Sequence, residues 1–229
     1  MSFSASKILL FITLIALFSL RLSAGDDFPV WDDTNSFKQD LKSATLVTNL
    51  PNITEADHFF GVHFSGSQIH TNSGSYQRIP TARLSLYPNP GYNLWVQFAP
   101  WPGSNPNFSV GTGLQVEFKG ENVHRRQAIG LSWNSIFDDG YVQRDVSIHG
   151  LYGYASKKLN LGFIALIDMH HLVVENGNGI PDYDETILLG VPYISWLIVD
   201  QLRVSLMIPY NSSGPGIVLG SEFMIGKRK

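Results

Sequence analysis

The chain has 229 residues, no cysteine, 15% charged residues and a formal net charge of −3. No cysteine means no disulfide framework, no cysteine-based metal site and no lipoprotein anchor. A mean hydropathy near zero excludes a helical-bundle membrane protein, which needs several long apolar runs, but not a barrel, whose strands bury only alternate residues.

The single long apolar run is N-terminal. Lys7 precedes the thirteen-residue run Ile8 to Leu20, Arg21 closes it, and Leu22-Ser23-Ala24 offers a small-residue cleavage site before Gly25. That pattern predicts a secretory signal peptide over residues 1–24, too short for a spanning helix; an uncleaved signal anchor is the alternative. Its removal leaves 14 basic against 19 acidic residues, a net charge of −5. A mildly acidic chain without a Lys/Arg cluster argues against a nucleic-acid partner. Residues 25–57 form an irregular leader, in which Asp32-Asp33-Thr34-Asn35 can cap a short helix through Leu41 before Pro51-Asn52 breaks the pattern.

From His58 the hydrophobic period is two. Phe60, Val62 and Phe64 alternate with Gly61, His63 and Ser65, and a Gly/Ser/Asn-rich loop or twisted strand end follows over 66–75. Leu84 and Leu86 oppose Arg83 and Ser85, and Pro88-Asn89-Pro90-Gly91 is a tight turn. Tyr92, Leu94, Val96 and Phe98 oppose Asn93, Trp95 and Gln97. The clearest strand is Phe108 to Lys119: Phe108, Val110, Thr112, Leu114, Val116 and Phe118 share one face, and Ser109, Gly111, Gly113, Gln115, Glu117 and Lys119 the other. Its twelve residues exceed the usual length of soluble strands and suit a membrane-crossing one.

Ile129, Leu131 and Trp133 then oppose Arg126, Ala128, Gly130, Ser132 and Asn134. Val142, Val146, Ile148, Tyr152 and Tyr154 oppose Gln143, Asp145, Ser147, His149 and Gly153. Leu159, Leu161, Phe163, Ala165, Ile167 and Met169 oppose Asn160, Gly162, Asp168 and His170. Ile187, Leu189, Val191 and Tyr193 form the apolar row that begins the next strand. Leu202, Val204, Leu206 and Ile208 oppose Gln201, Arg203 and Ser205, and Ile217, Leu219, Phe223 and Ile225 oppose Gly220 and Glu222. Short turns and no helical crossover predict an all-β antiparallel meander of about ten strands (eight to twelve), closing as an up-and-down transmembrane β-barrel over 58–226, with 227–229 a basic tail.

The polar face is Gly, Ser, Asn and Gln with scattered charges of both signs: Arg83, Glu117, Arg126, Asp145, His149, Asp168, His170, Arg203 and Glu222. Small residues and charges that can pair suit a crowded lumen, whereas the Leu, Val, Ile and aromatic face suits lipid. Tyr92, Trp101, Trp133, Tyr141, Tyr152, Tyr154, Tyr193 and Tyr210 near strand ends suit an interfacial girdle. On these features the chain resembles the small bacterial outer-membrane β-barrels. The resemblance implies a bacterial outer-membrane location, lipid as partner, and a structural role or narrow passage of small solutes. Such barrels commonly end on an aromatic residue; here Phe223 is followed by Met-Ile-Gly-Lys-Arg-Lys.

Three motifs bear on chemistry. Residues 174–185 lay Asn176, Asn178, Asp182 and Glu185 at oxygen-ligand positions of a twelve-residue calcium loop, with Gly179 at the turn, but Val174 holds the first position; the loop is a weak calcium candidate or a plain polar connection. Asp168, His170 and His149 can bind zinc or orient a base, or simply hydrogen-bond in the lumen; Ser147 and His149 share a face, but no catalytic motif accompanies them and no enzyme is expected. Asn52, Asn107 and Asn211 open glycosylation sequons that are chance matches in a bacterial protein. Two rivals stand beside the structural or narrow-pore barrel. One is a lipid-modifying or lipid-binding outer-membrane barrel enzyme. The other is a soluble secreted barrel around an apolar ligand, which requires Leu114, Val116 and Phe118 to point inward.

Overall fold

The computed structural model describes residues 58–70, 76–101, 107–119, 124–138, 141–174, 183–211 and 214–227. The expected signal peptide and leader, residues 1–57, lie outside the described residues, as do Arg228 and Lys229 of the basic tail. In chain order the strands are β1 (His58–His70), β2 (Tyr76–Leu86), β3 (Tyr92–Trp101), β4 (Asn107–Lys119), β5 (Arg125–Asp138) and β6 (Tyr141–Ala155). They continue as β7 (Leu159–Val174), β8 (Tyr183–Val199), β9 (Leu202–Met207), β10 (Tyr210–Asn211), β11 (Gly214–Pro215) and β12 (Ile217–Lys227). Ten of them, β1 to β9 and β12, close into one antiparallel up-and-down barrel; β10 and β11 form a separate two-residue ladder. Pairing of β1 with β12 closes the wall and leaves it no free end strand.

The alternation read from the sequence is the alternation of the wall. Leu84, Val96, Phe98, Leu114, Phe118, Leu131 and Trp133 are exposed on the outside. Between them Arg83, Ser85, Asn93, Gln97, Gln115, Ser132 and Asn134 are buried inside. Leu114 and Phe118 therefore face outward, the opposite of what a soluble ligand-binding barrel requires. Tyr92, Trp133, Tyr152, Tyr154 and Tyr210 also face outward, joined by Trp196.

Strand β8 is where alternation pointed the wrong way. Leu189, Val191 and Tyr193 line the lumen, and the outward row is Leu188, Ile194, Trp196 and Ile198. Both faces of this strand are apolar, so period two has no polar row to fix its orientation. Tyr193 accordingly leaves the outer girdle: its hydroxyl lies over the backbones of Gly153 and Gly162, at positions where any Cβ would collide with it.

The register sets the barrel's shape. A path from Leu197 of β8, crossing the wall pair by pair, visits Arg203, Glu222, His63, Arg83, Gln97, Gly111, Asn134, Asp145 and His170. It returns to β8 at Glu185, twelve residues from its start. Such a stagger over ten strands implies a tilt of about 40° and a Cα radius of about 10 Å. At that tilt each residue rises about 2.5 Å along the axis, so ten residues span the roughly 25 Å apolar band of an outer-membrane barrel.

The two mouths differ. At one, called here the turn mouth, lie the ends of β1 and β12 and the short connections β2–β3, β4–β5, β6–β7 and β8–β9. In the first of these Gly91 has φ of 85°, and Tyr92 N–H donates to Asn89 O at 3.1 Å. A side chain at Gly91 would be strained by that left-handed backbone. The other mouth carries β1–β2, β3–β4 and β5–β6, no longer than those of the turn mouth, and the two long connections β7–β8 and β9–β12.

Candidate functional site: the barrel lumen

Each polar row of the sequence becomes an inner stave, and the stagger brings distant staves to one level. Toward the turn mouth, Arg126 forms an ion pair with Glu117 across β4 and β5. Arg203 Nη1 donates to Ser195 Oγ at 3.2 Å. Above them, Tyr87 OH donates to Glu222 Oε1 at 2.5 Å, joining residues 135 apart in the chain. Glu222 is the cross-strand neighbour of both Arg203 and His63, and His63 that of Arg83. Arg83 Nη2 donates to Gln97 Oε1 at 2.8 Å, and its guanidinium lies 5.3 Å from the Trp95 ring centre. The Trp95 ring crosses Gly113, where a Cβ would collide with it. The absence of a side chain at Gly113 is therefore what lets the indole lie on the inner surface of β4.

Toward the other mouth the charges are acidic. Asp145 Oδ1 accepts from His170 Nδ1 at 2.6 Å and from Gln143 Nε2 at 2.7 Å. Asp168 Oδ2 lies 3.6 Å from His170 Nε2, and Asp168 Oδ1 accepts from Ser147 Oγ at 2.5 Å. Glu185 stands in β8 directly opposite His170. Of the proposed calcium ligands it alone is described; Asn176, Asn178 and Asp182 lie outside the described residues. Outside the wall at this end, His171 pairs with Asp184 at 2.6 Å.

His149 is not with Asp168 and His170. Its ring lies 6.0 Å from Trp95, and it shares an inner row with Asn93, Gln115 and Gly130. Among the described residues neither ring nitrogen of His149, neither amide atom of Asn93, nor Gln115 Oε1 has a hydrogen-bond partner, though all are buried. Continuing around the wall from His149, Leu166 and Leu189, with Ile164, Val191, Val218 and Met207, make that side of the mid-lumen apolar. Each of these inward aliphatics has apolar or glycine neighbours in the sequence, so apolar alternates with apolar and period two does not reveal them.

No protein-family model matches the sequence, and no curated protein matches it. Solved structures of similar architecture include the outer-membrane protein Omp33 of Acinetobacter baumannii, at 11% identity and TM-score 0.40, over 73% of this chain and 98% of that one. The KdgM porin, solved in complex with disordered oligogalacturonate, aligns at 9% identity and TM-score 0.44, over 72% and 99%. A loop-deletion mutant of OmpT, an outer-membrane protein of Vibrio cholerae, aligns at 12% identity and TM-score 0.37, over 90% and 72%. At such identities no side chain inherits a role.

The chemistry open to the lumen follows from its burial. Ser147, Asp145 and Asp168 are 0% exposed, so no substrate reaches them in this arrangement. Ser147 donates to a carboxylate rather than to an imidazole, which is a stitch between β6 and β7 rather than an activated nucleophile. Among the described residues no three His, Cys, Asp or Glu side chains are grouped to hold a metal ion. What the lumen does offer is a largely polar lining of closely packed side chains, basic and mixed at one mouth and acidic at the other, interrupted at mid-height by the aliphatics of β7, β8, β9 and β12.

Proposed function

We propose that this chain is a bacterial outer-membrane β-barrel with a filled, polar lumen that admits small polar solutes narrowly. The observation that carries the reading is the inversion of the wall, with large apolar residues exposed outside and charged residues buried inside. An apolar exterior of that extent exceeds what soluble monomers expose, and lipid is the solvent that suits it. The two long connections, β7–β8 and β9–β12, share one mouth, and the ends of β1 and β12 lie at the other, which supports a direction: the long pair outward, the short turns toward the periplasm.

Passage is supported by the row Asn93–Gln115–His149. Buried polar atoms without protein partners are met by water in folded proteins, so this row is the natural place for water to enter the lumen. No catalytic role is proposed. The test is planar-bilayer conductance of the full chain. Wild type is expected to give small steps, and Trp95→Ala, which removes the indole from the bore, steps severalfold larger. Silence from both proteins overturns passage and leaves a purely structural barrel.

A further inference from the structure

A second site lies on the outer surface at the turn mouth. Arg125 is the first residue of β5 and faces outward, directly opposite Tyr154 of β6. Its guanidinium lies 5.0 Å from the Tyr152 ring centre, and among the described residues that ring is the partner it has. His124 stacks on Tyr154 with ring centres 5.3 Å apart. Lys157 and Lys158, both exposed, form the turn that joins β6 to β7 beside them. Below this basic rim is a groove of about 620 Å³, walled by Tyr152, Tyr154, Leu161 and Phe163 and floored by Gly153 and Gly162. The Phe163 ring leans across Gly190, away from β6. Two residues above Tyr152 on the same outward face is Gly150, around which an added Cβ would meet no atom within 4 Å. The result is a track that starts at a cluster of cations and runs up an apolar wall.

We propose that this groove binds an anionic phospholipid, with its phosphate at Arg125 and the β6–β7 lysines and one acyl chain along Tyr152, Leu161 and Phe163 toward Gly150. The proposal rests on the membrane reading and deepens it. A cation over an aromatic ring at the edge of an apolar band matches the one place where a lipid is both charged and oily. Tyr and Trp girdles alone are indifferent to headgroup charge; the cluster of Arg125, Lys157 and Lys158 is what selects an anion.

The full chain is folded into vesicles of phosphatidylcholine containing equal minor amounts of phosphatidylglycerol and phosphatidylethanolamine. It is then extracted gently, and the retained lipid is identified by native mass spectrometry. Wild type is expected to retain phosphatidylglycerol, with Arg125→Gln lowering that retention about fivefold. Gly150→Leu, which leaves every charge in place and fills the track, is expected to lower it as well. Arg144→Gln, an outward arginine near the far mouth, is the control and leaves retention unchanged. Equal retention of the two minor lipids, or equal loss from Arg125→Gln and Arg144→Gln, overturns the site. Competition by free glycerol phosphate as strong as by phosphatidylglycerol also overturns it, since the acyl track then contributes nothing. Failure of the chain to enter phosphatidylcholine vesicles at all is a different result: it sinks the membrane reading rather than the site.

Discussion

Glu222 shows how much one lumen residue holds together. It is 1% exposed, accepts the Tyr87 hydroxyl, and stands between Arg203 and His63 on neighbouring strands. Removing one member of a buried charged set leaves the rest uncompensated, so Glu222→Gln is expected to cost about 3 kcal/mol. Tyr87→Phe removes its hydrogen bond to that carboxylate and is expected to cost about 2 kcal/mol, with the lost donor leaving a charged acceptor behind. Urea midpoints of the two variants in detergent, followed by gel mobility without boiling, check the order. The charge at position 222 was legible in the sequence, because it interrupts an otherwise apolar and glycine-rich strand. Its partner was not. Tyr87 lies beyond the end of β2, beside the Pro88–Gly91 turn, and meets Glu222 only because the barrel closes. The separation of His149 from Asp168 has the same origin. They sit on adjacent strands at similar places in the alternation, but the register sets His149 against Leu166 and gives Asp168 to Ser147.

Among the elements, β8 and β9 make the least uniform part of the wall. β9 ends at Met207, and Pro209 follows closely with no N–H to give. β9 pairs with β8 only from Tyr193 to Val199. Above Tyr193 the described strands give β8 one ladder neighbour, β7, apart from the single bond of Ile208 N–H to Pro192 O at 3.1 Å. Amides in a one-sided strand open more readily than those in a two-sided one. Amides of β8 between residues 184 and 191 are therefore expected to exchange faster with deuterium than those of β6, which is paired along its length on both sides. Equal exchange would show that the β9–β12 connection seals this edge. The sequence marked β8 as a strand by its apolar, β-branched run but not by its facing, since Leu188 and Leu189 are the same residue type on opposite sides of the wall. In β4 the reverse holds: Gly111, Gly113 and Gln115 against Val110, Leu114 and Phe118 leave only one way round.

At the scale of the molecule, the fold was the most legible level, because a barrel repeats one rule on every strand and an error in a single strand does not change the sum. The strand order, the closure and the outward face of β4 all follow from that rule. The stagger does not, since nothing in a local pattern counts residues around a circle. The membrane reading is tested where the wall is deepest in lipid. Leu131 lies at the middle of β5, exposed outward. An arginine at mid-depth of a lipid-facing wall costs about 2 to 4 kcal/mol, so Leu131→Arg is expected to slow or abolish insertion into vesicles. Val116, three residues from the end of β4, sits nearer the headgroups and is expected to tolerate Arg better. Insertion of both variants at the wild-type rate would count against lipid contact.

The stagger has a further effect on anything that moves. Because one inner row climbs the whole wall, Arg203 is at its foot and Glu185 at its head, with Asp145 and Asp168 also near the top. Charge is thus distributed unevenly from one mouth to the other. Ionic current through a hydrated bore should rectify, running more easily under one sign of voltage than the other, and Glu185→Gln should straighten the current–voltage curve.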